Sequence, residues 1–100
     1  MSFDYNSNKW RTKRKKILRL DKYKCQIMKM FGKTKEATIV HHIYPVKDYP
    51  QYAYETWNLI SVSAEGHNKL EKRSTGELTA LGKALKEKTK PGIDFRSPLK

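Results

Sequence analysis

The sequence predicts an α+β fold: a ββα unit with a basic helix before it and a C-terminal helix after it. Three observations carry this. Ala37-Thr-Ile-Val-His-His-Ile43 is β-branched and apolar, as a strand requires. Asn58-Leu-Ile-Ser-Val62 is a second short apolar run, followed at once by a serine able to cap a helix. Trp10–Leu20 and Glu77–Lys88 space their apolar residues with helical periodicity. No repeat and no boundary interrupts the chain, so residues 1–100 read as one domain with the ββα unit at about 37–73.

Residues 1–8 are polar and turn-rich and read as a frayed arm, with Asn8 able to cap the first helix. In that helix Trp10, Ile17, Leu18 and Leu20 form the apolar stripe, which Arg14 interrupts. Arg11, Lys13, Arg14, Lys15, Lys16 and Arg19 are six cations within nine residues. That density reads as a phosphate-binding face, against the alternative of a merely solvated one.

Asp21-Lys22-Tyr23 should break this helix. Cys25–Met30 alternates as a short strand, turned by Phe31-Gly32-Lys33. Alternation along the 37–43 strand sends His41 and His42 to opposite faces, so the pair can do two jobs. Residues 44–57 form a long loop rich in aromatics, which either stack on bases or sugars or pack on one another to stiffen it. A helix over 64–73 carries His67, with Ser63 or Ser61 as its cap. In the last helix Leu78, Leu81 and Leu85 share a face, and Gly82 weakens it. The extended tail 90–100 is pinned by Ile93 and Phe95.

The net charge of +12, from 22 Lys and Arg against 10 Asp and Glu, favours a polyanionic partner: nucleic acid or an anionic membrane face. Ribosome-associated proteins share this composition, so charge alone does not name an activity. One cysteine, Cys25, excludes an internal disulfide and fits a reducing compartment. No apolar run approaches the ~18 residues of a membrane span, and no signal-peptide core follows Met1. A soluble, cytoplasmic protein with no membrane partner is expected.

All three histidines lie in one arrangement: His41-His42, then Asn58, then His67. Imidazoles are good ligands for a divalent cation and good bases near neutral pH. A base one residue from a ligand sits close to a cation-activated water without binding the cation itself. The polyanion partner makes a phosphodiester the expected target.

The segments Val40-His41-His42-Ile43-x-Pro45, Trp57-Asn58-Leu59-Ile60-Ser61 and Gly66-His67-Asn68-Lys69 resemble the HNH endonucleases, the ββα-metal nucleases of the phage and restriction-type branch. The lead-in of Trp10, basic helix and Asp21-x-Tyr23-x-Cys25-Gln26 fits as well, so the resemblance covers about residues 10–73. It implies a metal-dependent endonuclease of DNA. His42 would be the general base, Asn58 the residue that fixes the loop and orients the base, and His41 and His67 the metal ligands. Arg11, Lys13, Arg14, Lys15, Lys16, Arg19, Lys69 and Arg73 are the expected nucleic-acid contacts.

The resemblance further implies one divalent cation, Mg²⁺ or Mn²⁺ with Ni²⁺, Co²⁺ or Zn²⁺ acceptable to the donor set, and products bearing 5′-phosphate and 3′-hydroxyl. Duplex DNA is the expected partner, with a phage packaging terminase as context. Glu71, four residues after His67, is a possible third ligand but reads as a surface or salt-bridge residue. Many relatives bind a structural zinc through four cysteines. Here those positions are Cys25, Met28, Ser63 and Gly66, so no structural zinc is expected, and Met28, Met30, Phe31 and the C-terminal leucines are candidates for a replacement cluster. The alternative is a non-catalytic basic DNA- or RNA-binding module with a vestigial metal site.

Overall fold

The computed structural model describes residues 3–96. Residues 1–2 of the arm and 97–100 of the tail lie outside the described residues. The order of elements is α1 (Asn8–Leu20), α2 (Gln26–Met30), β1 (Ile39–His42), β2 (Leu59–Val62), α3 (Ala64–Leu70) and α4 (Ala80–Lys88). The ββα unit is β1, β2 and α3, with α1 packed on both strands.

Helix α1 begins two residues earlier than expected. Ser7, not Asn8, caps it, its Oγ accepting from the Trp10 N–H at 3.2 Å. Trp10, Ile17 and Leu18 are buried as the stripe predicts, whereas Leu20 is 50% exposed. Asp21 ends the helix, and the chain turns through positive φ at Lys22 and Tyr23 (56° and 58°).

Residues 26–30 correct the expected strand: they are a helical turn. Cys25 Sγ accepts from the Met28 N–H at 3.4 Å, and the cap outweighs the alternation. Adjacent Ile27 and Met28 are both buried, which a strand with one open face would not allow. Gly32 at φ 75° closes the turn, with Gly32 N–H donating to Lys29 O and Lys33 N–H to Met28 O. Met28 joins the core, while Met30 and Phe31 stay exposed and do not form the expected apolar cluster.

Strands β1 and β2 pair antiparallel, with His41 opposite Ile60 and His42 opposite Leu59. The outer edge of β2 is closed by side chains. Asp21 Oδ2 accepts from the Ser61 N–H at 3.0 Å, and Arg96 donates to Leu59 O at 2.5 Å. Arg96 and Asp21 are themselves paired in two places, 2.6 and 2.9 Å. The tail is therefore pinned by Arg96, and not by Ile93 and Phe95, which are 54% and 42% exposed.

Ser63 caps α3, its Oγ accepting from the Gly66 N–H. The helix ends at Leu70, before the expected residue 73. Helix α4 crosses it closely. A Cβ on Gly82 would lie 2.1 Å from Leu70 O, so this glycine, expected to weaken the helix, permits its close crossing with α3. Leu81 and Leu85 pack against the core, while Leu78 precedes the helix.

Helix α3 rests on the Cys25 thiol. A Cβ on Gly66 would meet Cys25 Sγ at 2.5 Å and Ser63 Oγ at 3.4 Å. Among the described residues, no helix is long and apolar enough to cross a membrane.

Candidate metal centre and cleft

Pairing and alternation give the two histidines of β1 different neighbours. His41 faces α3: its ring centroid is 5.3 Å from that of His67. His42 faces α1, stacking on Trp10 at 4.9 Å with 22° between the planes. The basic helix thus carries the aromatic floor under His42.

Three potential ligands converge on the His41 side. The ligand atoms of His41, His67 and Glu71 lie within 4.8 Å of one another. Glu71 Oε1 is 3.9 Å from His41 Nδ1, and Oε2 is 3.5 Å from His67 Nε2. These separations are too long for hydrogen bonds. They approach the roughly 3–4 Å that donors keep around one cation with bonds near 2.1 Å. His41 Nε2 is buried with no hydrogen-bond partner among the described residues. Two imidazoles and a carboxylate facing one another fit a borderline divalent cation.

Glu71, by its sequence a possible third ligand or a surface or salt-bridge residue, faces both imidazoles. It is the C-cap of α3, its N–H still bonded to His67 O, and its side chain turns to both imidazoles rather than to Lys72. The helical i, i+4 spacing was its signal; what the spacing lacked was His41, which only the β1–α3 packing brings within reach.

His42 is held by the loop. Its Nε2 lies 3.1 Å from Ala53 O, so the tautomer with the proton on Nε2 donates there and leaves Nδ1 free to accept. Asn58, fully buried, ties that loop down. Its Oδ1 accepts from the Tyr44 N–H at 2.7 Å, and its Nδ2 donates to Tyr44 O and Tyr52 O at 3.2 and 3.1 Å. Among the described residues Asn58 bonds only backbone, so it positions the segment that holds His42. The loop's other aromatics mostly pack on one another: Tyr44, Tyr49, Tyr52 and Trp57 form one cluster.

Burial sets the electrostatics. It pushes the His41 imidazole down to about 3, helped by the charges of His67 and His42. His42 is lowered by burial, with the Ala53 carbonyl opposing the shift. Both histidines are accordingly neutral at neutral pH. Tyr5 is raised by burial and by the nearby Glu71 charge.

The histidines open on a cleft of about 610 Å³ lined also by Arg11, Arg14 and Glu71. Of the eight cations expected to touch nucleic acid, only these two arginines line it. Arg14, the residue that spoiled the apolar stripe, reaches over to Thr38 O at 2.9 Å. Lys13 turns away, donating to Thr56 Oγ1 at 2.7 Å, and burial lowers its ammonium. Lys69 sits over the Phe31 ring, and Lys15, Lys16, Arg19 and Arg73 are exposed outside the cleft.

Comparison with solved structures places this geometry. The chain is similar to the HNH endonuclease of the deep-sea thermophilic bacteriophage GVE2, crystallised with a manganese ion. The TM-score is 0.62 at 33% sequence identity, covering 64% of this chain and 70% of that one. The chain belongs to the HNH endonuclease family. No family model and no curated protein matches it. As an HNH-type nuclease it keeps the ββα fold and a three-residue group able to hold a metal ion.

Proposed function

We propose that this chain is a metal-dependent endonuclease that hydrolyses phosphodiester bonds of duplex DNA, with His42 as general base. The observation that carries the reading is the convergence of His41, His67 and Glu71 beside His42 in a cleft flanked by Arg11 and Arg14. His41, His67 and Glu71 would hold one divalent cation, Mn²⁺ or Mg²⁺. The manganese in the phage neighbour supports this choice. When bound, the cation supplies charge that polarises the scissile phosphate and stabilises the leaving 3′ oxygen.

This chain's own residues do the rest. Ala53 O holds the His42 proton at Nε2, so Nδ1 accepts a proton from the attacking water. Burial keeps that nitrogen unprotonated near neutral pH. Trp10 supports the ring from beneath, and Asn58 keeps the Ala53 carbonyl in place through Tyr44 and Tyr52. Arg11 and Arg14 bind the flanking phosphates. The neighbour's bacteriophage source supports a phage setting, with action in the host cytoplasm and a packaging terminase as the partner to test by co-purification.

Supercoiled plasmid with Mg²⁺, Mn²⁺ or Ni²⁺ tests the proposal, with an EDTA control and the His42→Ala variant. Metal-dependent conversion to open circle or linear DNA, lost in the variant, is the expected result. Binding in a gel shift without conversion under any metal would make the chain a DNA-binding module.

A further inference from the structure

One aromatic group is not absorbed by the mechanism. Beside the cleft lies a second cavity, of about 560 Å³, lined by Phe3, Tyr5, Pro50, Ala53 and Tyr54, with Lys47 at its edge. It joins the cleft through Tyr5, which lines both. It also touches the proposed base from behind: the Phe3 and Tyr5 rings lie 5.4 and 6.2 Å from the His42 ring, and the Ala53 carbonyl that holds His42 belongs to its wall.

The chemistry of this wall differs from that of the loop's other aromatics. Those close on one another, whereas Tyr5, though it meets Phe3 and Trp10, is 53% exposed. Phe3 is set edge-on to Tyr5 at 4.7 Å, which holds that ring upright. Lys9 Nζ sits 4.1 Å over the Tyr54 ring, placing a cation at the cavity's side. An exposed tyrosine ring with lysines nearby forms the platform that unstacked bases and their phosphates recognise.

We propose that this cavity takes one unstacked nucleobase next to the scissile phosphate, stacked chiefly on Tyr5. The proposal rests on the nuclease reading only for what lies next to it, since base capture itself needs no cleavage. Its consequence is selectivity. DNA that is unpaired or distorted at the cut avoids the cost of pulling a base from the duplex, so it is the preferred substrate.

The test compares two single-stranded oligomers of equal length in EDTA, one of thymidine nucleotides and one abasic, by fluorescence anisotropy. Both present the same phosphates, so their affinity ratio isolates the bases. Wild-type protein should favour the thymidine oligomer by at least about fivefold, the lower end of what one stacked base contributes. Tyr5→Ala should bring the ratio close to one without changing affinity for the abasic oligomer, and Tyr5→Phe should keep it. Tyr5 is exposed enough that the alanine variant should fold, which circular dichroism checks. A wild-type ratio near one, or a ratio unchanged in Tyr5→Ala, overturns the proposal. Because no metal is present, failure of plasmid cleavage would sink the nuclease reading and leave this result to stand separately.

Discussion

Removing the Arg96 guanidinium should destabilise the protein more than any other single change in the C-terminal tail. Arg96 Nε and Nη2 donate to Asp21 Oδ1 and Oδ2 at 2.6 and 2.9 Å, and the same side chain donates to Thr56 O and Leu59 O. Asp21 is 3% exposed at its side chain and Arg96 15%, so the pair is shielded from water and salt. In Arg96→Ala the carboxylate stays buried with the Ser61 N–H as its remaining partner, and Leu59 O loses its donor at the sheet edge. Breaking one side of such a pair costs about 3–5 kcal/mol. At the low end, about 3 kcal/mol, a chain of this size should lose roughly 12–24 °C in Tm.

The assay is urea and thermal unfolding followed by fluorescence of Trp10 and Trp57, for Arg96→Ala, Asp21→Ala and the double variant. The double variant should be clearly more stable than the sum of the singles, because it leaves no unpaired charge. A loss below about 1 kcal/mol for Arg96→Ala, or strict additivity, would refute the claim that this pair closes the edge of β2.

The site itself yields three further expected outcomes. Glu71→Gln should weaken Mn²⁺ binding by at least about tenfold, read by calorimetry, while the melting temperature of the metal-free protein hardly moves; unchanged affinity would return Glu71 to a surface role. Metal-free protein should lose stability as pH falls from 6.5 towards about 3, because unfolded His41 takes up a proton that the buried native ring refuses. The slope from this group is at most about 1.4 kcal/mol per pH unit and vanishes above 6.5, and His41→Gln should flatten the urea-derived profile in that window. Helical circular dichroism should persist in EDTA, since the proposed cation sits in a cleft and not in the core; loss of signal would make the metal structural.

Local rules determined much of this protein. Apolar, β-branched runs marked β1 and β2, the candidate caps Ser61 and Ser63 marked the start of α3, and the helical stripe marked α1, because each depends on residues a few positions apart. The motif histidines and Asn58 stood out through short motifs and the resemblance they carry, with His41-His42 at the end of β1, Asn58 just before β2 and His67 within α3. Cys25–Met30 misled because a side-chain cap and burial of both Ile27 and Met28 outweighed a weak alternation.

What crosses the chain was decided by tertiary packing alone. Glu71 met His41 across 30 residues, as their numbers show. Arg96 met Asp21 across 75. Gly82 proved essential to a helix crossing rather than a flaw in a helix. Of the seven cations on α1, only Arg11 and Arg14 reached the cleft, because the burial of Trp10, Ile17 and Leu18 fixes which face of α1 looks toward the histidines. Composition names the charge a helix carries, but only the buried face opposite determines where that charge points.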